Sequence, residues 1–183
     1  MLLMVGMIVT AQTPFTCGDQ VTYGGQTYNT VQIGSQCWFK ENLNIGTMVS
    51  RTTLQMNNGV IEKWCYNNLE SNCTGYGGWY QWDELMNYTQ NEGTQGICPA
   101  GWHIPTYGEF IALTEFAGGS QQAGTALNEA GKFHWNYYSW QGTNTSGFTW
   151  LGNGYVLFGK NGLMKSVGYL WTSSKRTCAD VPG

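Results

Sequence analysis

A helix start signal near the middle of the chain constrains the fold more than any other feature of the sequence. Thr106 is followed three residues later by Glu109, the spacing of a capping box, in which each side chain bonds the backbone N–H of the other residue. Pro105 stops any preceding helix and fixes the direction in which the chain arrives. Apolar residues then recur at helical spacing until Gly118-Gly119, which favours a left-handed stop. The pattern predicts an amphipathic helix over residues 107–117 with one face against a core.

The N-terminal third carries β-hairpin signals. Two strand-like segments, residues 21–23 and 27–33, flank Gly24-Gly25, and glycines tolerate the positive φ angles that a two-residue hairpin turn requires. Gly34-Ser35 predicts a second turn, which leads into residues 37–39. The spacing therefore predicts consecutive antiparallel hairpins.

A further helix is predicted over residues 79–88, where aromatic and apolar residues recur at helical spacing. The adjacent carboxylates Asp83 and Glu84 would point about 100° apart on such a helix. They are therefore badly placed to act together on one bond, and we assign them to a solvated face.

Loops and short strands are expected elsewhere. Residues 46–63 are polar and rich in asparagine, which predicts a loop or a short hairpin. Residues 154–158 and 168–171, with Asn161-Gly162 as a turn, predict short strands of a closing sheet.

The composition favours an extracellular domain. The chain has 183 residues, enough for one domain with a core, and only 10% are charged whereas 15% are aromatic. The net charge is -3 and there is no basic run, so nucleic acid and anionic membranes are poor partners.

Residues 1–11 are apolar and end in Val9-Thr10-Ala11, which predicts a signal peptide cleaved before Gln12. The segment is too short to span a bilayer, and the alternative is a buried N-terminal strand. We expect residues 12–183 to form one secreted or cell-surface domain.

Cysteine usage agrees with export. The chain has six cysteines, at positions Cys17, Cys37, Cys65, Cys73, Cys98 and Cys178. Six cysteines allow fifteen ways of forming three disulfides. Proximity favours Cys17–Cys37 and Cys65–Cys73. A zinc site is the rival interpretation, but there is no Cys-x-x-Cys and only His103 and His134 could assist, so no metal or other cofactor is expected.

Several motifs occur in an order that resembles a known family: Tyr28–Gly34, Trp38, Glu41–Leu43, Tyr66–Asn68, Tyr76–Trp82, Gly101–Thr106 with an acidic residue after it, and Gly168–Ser174. Together they resemble the Fibrobacter succinogenes major paralogous domain, which is common in surface and secreted proteins of Fibrobacter and Bacteroidetes. The family in turn resembles C-type-lectin-like folds and formylglycine-generating enzymes. The resemblance implies an α+β, C-type-lectin-like domain with two short helices, short antiparallel strands and long loops.

The resemblance also bears on the end of the chain. In the family, the counterpart of Cys98 pairs with a cysteine in a final strand that this sequence lacks. We therefore expect a C-terminally truncated domain, in which Cys178 substitutes as the partner or both thiols are free.

An aromatic, amide-rich run over residues 134–144 occupies the place of the long loop of C-type-lectin-like folds. Rings in a loop bury a large area at low entropic cost, and neighbouring amides can bond hydroxyl groups. We expect Trp135, Tyr137, Tyr138 and Trp140 to contact a ligand; for the two tryptophans, a role in the core is the equal alternative.

Catalytic signals are weak. No nucleophile motif or phosphate-binding loop is present, and the paired-cysteine copper site of the formylglycine-generating relatives would have only Cys178 here. His103 is assigned a structural hydrogen bond, whereas His134 could contact a ligand. The calcium-ligating motifs of lectins are absent, so any lectin activity is expected to be calcium-independent.

The sequence thus predicts a secreted or surface recognition domain, without catalysis, that binds a glycan or a surface protein. The alternatives are an enzyme of the formylglycine-generating, oxidoreductase type and a purely structural surface subunit.

Overall fold

Four α-helices and four two-stranded sheets occur in residues 15–136 and 142–175, the part of the chain that the computed structural model describes. The strands are β1 (Val21–Tyr23), β2 (Gln26–Tyr28), β3 (Thr30–Ile33), β4 (Gln36–Phe39), β5 (Thr47–Met48), β6 (Glu62–Lys63), β7 (Tyr155–Leu157) and β8 (Lys160–Gly162). The helices are α1 (Glu70–Tyr76), α2 (Trp82–Leu85), α3 (Tyr107–Phe116) and α4 (Ala123–Leu127), and a 3₁₀ turn lies at Tyr66–Asn68. This mixture confirms the α+β class.

The two N-terminal hairpins form as the sequence predicts. β1 and β2 pair antiparallel around Gly24 and Gly25, whose φ angles of 56° and 77° are those of a turn with two left-handed residues. β3 and β4 pair antiparallel next to them. The expected continuous strand 27–33 is interrupted at Asn29, because Glu41 binds both its backbone N–H and its side-chain amide at 2.7 Å.

The capping box of α3 is confirmed. Thr106 Oγ1 accepts from Glu109 N at 3.1 Å, and Glu109 Oε2 accepts from Thr106 N at 2.8 Å. Although partial burial, the largest influence, raises the pKa of Glu109, hydrogen bonds from Thr106 and His103 outweigh it and lower the pKa below its usual value. Gly118 and its neighbour adopt positive φ where the helix ends, as expected.

The buried face of α3 belongs to one of two apolar clusters. Leu113 is fully buried and packs with residues from β3, α4 and the following loop: Ile33, Ala123, Leu127 and Phe148. Phe110 adds an edge-on contact to the Trp150 ring, with centroids 5.5 Å apart. Phe116, in contrast, is 65% exposed. The buried face of α3 is thus narrower than the apolar residues of its sequence predicted.

The other apolar cluster surrounds Met86 and contains Ile45, Tyr80, Leu85, Ile97 and Ile104. The Tyr80 hydroxyl accepts from the Ile45 N–H and donates to the Ile45 carbonyl, both at 2.9 Å. The ring thereby fixes the chain just before β5. Burial raises the pKa of Tyr80, so the phenol stays protonated.

The prediction of a helix over residues 79–88 is wrong in extent. Only α2 is helical there. Before it, Trp79 pairs with Trp64 in an isolated antiparallel bridge, and after it Asn87 and Tyr88 have positive φ angles that a right-handed helix does not permit. Two helices that the sequence did not indicate, α1 and α4, make four helices in the described residues where two were expected; α1 precedes this region and carries Cys73. Pairing with a distant segment of the same chain thus overrides the helical periodicity of the local sequence.

The assignment of Glu84 to a solvated face is also wrong. Its side chain is buried, at 3% exposure, and accepts hydrogen bonds from Glu62 N at 2.8 Å and Tyr88 OH at 2.7 Å. Asp83 is exposed as expected. Glu84 therefore ties α2 to β6 rather than facing water.

Residues 46–63 contain a parallel pair, β5 with β6, and not a hairpin. In the C-terminal part, β7 and β8 form a hairpin that turns at Phe158-Gly159, so the expected turn at Asn161-Gly162 is wrong. Residues 168–171 form no strand. The Asn153 side chain bonds both the N–H and the carbonyl of Tyr169, at 2.9 and 3.0 Å, and takes the place of a neighbouring strand.

Two disulfides cross-link the described part of the domain. Cys17–Cys37 joins the N-terminal segment to β4, and Cys65–Cys73 joins the residue before the 3₁₀ turn to α1, with Cα–Cα distances of 5.8 and 5.2 Å. Cys98 is bonded to no described cysteine. Residues 1–11, for which the sequence predicts a signal peptide, and Cys178 lie outside the described residues. Among the helices described, none has the length and apolar character that a membrane span needs.

Candidate binding cleft

A cleft of about 230 Å³ opens where β2, the loop after β4, the C-terminal end of α1 and the chain around residues 129–134 meet, and Thr149 and Leu151 also line it. Ligand pockets for drug-sized molecules are typically about 300–1,000 Å³. This cleft therefore suits one sugar ring or one side chain better than a whole nucleotide or flavin.

A histidine–carboxylate pair forms one wall. His134 Nδ1 lies 2.8 Å from Glu129 Oε1, and the backbone N–H of His134 donates to Glu129 Oε2 at 3.2 Å. Because a carboxylate accepts only, the ring in this arrangement donates through Nδ1. The two side chains are 12% and 19% exposed, so the pair is held in place yet reaches the cleft.

Tyr76, the last residue of α1, packs edge-on against His134, with ring centroids 4.7 Å apart. Burial, followed by the nearby charge of Glu129, raises the pKa of Tyr76, so its hydroxyl is a neutral hydrogen-bond donor at physiological pH. The Tyr76 ring and the polar pair thus lie side by side in the lining of the cleft.

The position of Tyr76 is fixed from the opposite wall. Asn42 Nδ2 donates to the Tyr76 carbonyl at 2.9 Å. The next residue, Gly77, has φ 84°, and a Cβ there would lie 2.3 Å from the Cβ of Asn42. Only glycine permits this close approach, so α1 must end where the cleft begins.

Charged side chains complete the lining. Glu41 reaches the cleft while it clamps Asn29, and Lys40 lies next to it. The cleft therefore offers carboxylate acceptors, an ammonium donor and an aromatic ring.

The sequence-predicted ligand residues fall into two groups. Trp135 is buried, at 4% exposure, and its Nε1 donates to the Trp150 carbonyl at 3.1 Å. This burial favours the core alternative for Trp135, because its ring offers almost no surface to a ligand. Tyr137, Tyr138 and Trp140 lie outside the described residues.

Sequence reasoning named His134 but missed Glu129 and Tyr76. An acidic residue five positions before a histidine has no fixed relation to it unless the intervening chain turns back. Here the turn around Gly131, with φ 95°, lies between the two. No local signal marks this pair.

The other residues that the sequence analysis considered for chemistry, His103 and Cys98, lie in structural positions. His103 Nε2 lies 2.8 Å from Glu109 Oε1, which confirms its assigned structural role at the start of α3. Burial raises the pKa of the Cys98 thiol to about 12, so it stays protonated and is a weak nucleophile at neutral pH. In the described ranges, no three histidine, cysteine or acidic side chains gather into a metal-binding group.

The fold and the cleft define a disulfide-bonded α+β domain with a small cleft lined by polar and aromatic side chains. The family model described as the Fibrobacter succinogenes major domain matches residues 31–180, which is most of the chain. The chain belongs to this family, as its motifs indicated. Neither a curated protein nor a solved structure matches it.

Proposed function

We propose that the domain is an exported, non-catalytic recognition module that binds a glycan in the cleft around His134. The single observation that carries the proposal is the oriented Glu129–His134 pair beside the Tyr76 ring. Sugar hydroxyl groups both donate and accept hydrogen bonds, whereas the C–H face of a sugar ring packs on aromatic rings. This cleft presents both kinds of partner within one small volume.

The charges in the cleft suit an uncharged ligand. Glu41 and Glu129 are acceptors and Lys40 can donate, whereas His134, whose Nδ1 donates to Glu129, offers Nε2 as a neutral acceptor, so the lining has no strong excess of one sign. A phosphate or a polyanion would need more cationic groups than this. A neutral polyol is the ligand class that satisfies such a lining.

The aromatic run that begins at His134 extends the proposed site. Tyr137, Tyr138 and Trp140 follow directly in the sequence, in the place of the long loop in the C-type-lectin-like architecture that we propose for this domain. Trp135, held through the Trp150 carbonyl, anchors the start of that run. We assign Trp135 to anchoring and the three later rings to ligand contact.

Export is the second part of the proposal. The two disulfides are compatible with an oxidising compartment, where such bonds persist. Together with the apolar residues 1–11 and the low charge content, they favour a secreted or surface location.

A glycan array tests the proposal, and the chain itself provides a matched control. His134→Asn should lose binding, whereas His103→Asn should keep it, because His103 makes the same 2.8 Å contact with a carboxylate outside the cleft. Trp140→Ala should weaken binding by about 1 kcal/mol for a stacking ring. Chelator should have no effect.

Melting curves of each variant establish that it is folded. Equal binding by wild type and His134→Asn would contradict the cleft assignment, and a blank array would contradict glycan binding. Metal- or thiol-dependent turnover would favour the enzyme alternative. Assembly of the protein without binding of a small ligand would favour the structural-subunit alternative.

A further inference from the structure

Lys63 is buried, although its side chain carries an ammonium group. The side chain is 5% exposed, and its Nζ contacts Asn44 Oδ1 at 2.6 Å and Glu70 Oε1 at 2.7 Å. Asn44 is itself buried, at 7% exposure. One amine, one carboxamide and one carboxylate thus converge on a single point.

The backbone holds the amine and the amide in position. Lys63 ends β6, which pairs in parallel with β5, and its carbonyl accepts from Val49 N at 2.9 Å. On the other side, the Asn44 N–H donates to the Tyr28 hydroxyl at 3.0 Å. Reacting groups held in contact by such a scaffold gain the rate advantage of an intramolecular reaction.

From this geometry we infer that Lys63 and Asn44 form an intramolecular isopeptide bond, with Glu70 as the proton-transfer group. The inference is independent of what the cleft binds.

The chemistry balances with the groups present. The Glu70 carboxylate takes one proton from the Lys63 ammonium, and the uncharged Nζ attacks Asn44 Cγ. The Glu70 carboxylic acid donates a proton to the departing Nδ2, and the carboxylate then takes the second proton from Nζ. The Nζ–Cγ bond forms, the Cγ–Nδ2 bond breaks, one ammonia leaves, and Glu70 finally returns its proton to solvent.

The surroundings favour the product. A buried ammonium is costly even when it is paired, and the amide that replaces it carries no charge. Glu70 has a side chain that is 56% exposed, so it can exchange protons with water. Asn44 also lines the cleft, which gives the released ammonia a way out.

Mass spectrometry of the full exported chain tests the inference. The intact mass should be lower by one ammonia than the disulfide-bonded sequence requires. Trypsin should fail to cut after Lys63, and a branched peptide should join residues 41–51 to the fragment that contains Lys63. Cyclisation of an N-terminal Gln12 also releases ammonia, so the branched peptide and not the intact mass decides.

Three variants make the result specific. Glu70→Gln should fold, since residue 70 is exposed, and should lack the branched peptide; Lys63→Met should lack it too, and Lys160→Met, at an exposed lysine, should retain it. Trypsin cleavage after Lys63 in folded wild type, without a branched peptide, would overturn the inference. Equal cross-linking in wild type and Glu70→Gln would overturn the role of Glu70.

Discussion

Removal of the Thr106 hydroxyl tests the capping box that starts α3. Thr106→Ala abolishes the bond from Glu109 N to Oγ1 at 3.1 Å and the contact of Oγ1 with Glu109 Oε2 at 3.0 Å. The reciprocal bond from Thr106 N to Glu109 Oε2 uses the backbone and survives. Because half of the box remains, we expect a loss of about 1 kcal/mol, in the middle of the usual range for helix caps.

The assay is denaturant unfolding of the oxidised protein. The midpoint denaturant concentration should fall, and the slope of the denaturant dependence should not change. In thermal unfolding, a loss of about 1 kcal/mol at this chain length lowers the melting temperature by about 2–4 °C. Thr106→Ser is the matched control, since it keeps the hydroxyl and loses only a methyl group. If Thr106→Ala unfolds at the wild-type midpoint, or Thr106→Ser is equally destabilised, the box does not stabilise the helix as described.

Three further predictions concern acid stability, the second disulfide and export. The pKa of Glu109 is lower in the folded than in the unfolded protein, so its contribution to stability is complete above the unfolded pKa of about 4.3 and is lost as the pH falls through the folded pKa. The difference in unfolding midpoint between wild type and Glu109→Gln should therefore shrink in acid. A difference that stays constant with pH would refute this. The double variant Cys65→Ser, Cys73→Ser should lose about 2–3 kcal/mol, the chain-entropy value for a separation of eight residues, and unchanged thermal unfolding would argue against that contribution. N-terminal sequencing of exported protein should begin at Gln12, and an intact Met1 would contradict cleavage.

Local signals in the sequence were sufficient where the interacting groups are neighbours along the chain. The Thr106–Glu109 box spans three residues, and the Gly24-Gly25 turn depends on two φ angles that glycine supplies without strain. The pairing of Cys65 with Cys73 follows from a separation of eight residues. Each of these elements could be predicted because tertiary contacts do not compete with it.

Distant partners explain the failures. Glu84 is buried because Glu62 N and Tyr88 OH donate hydrogen bonds to its carboxylate. The backbone donor lies 22 residues away, so the sequence around Glu84 does not predict this contact. Residues 168–171 are held by the Asn153 side chain instead of by a strand. The candidate cleft also depends on distant partners, since Tyr76 and His134 meet only in the folded chain.

We propose that the cleft around His134 is the ligand-binding site, and the sharpest test is an NMR titration of the isotope-labelled domain with simple neutral sugars. We expect amide shift changes that concentrate at residues 74–77, Glu129 and His134, and that disappear in His134→Asn but persist in His103→Asn. Shift changes that concentrate instead on the β7–β8 hairpin, or an absence of changes with every sugar at millimolar concentration, would contradict it.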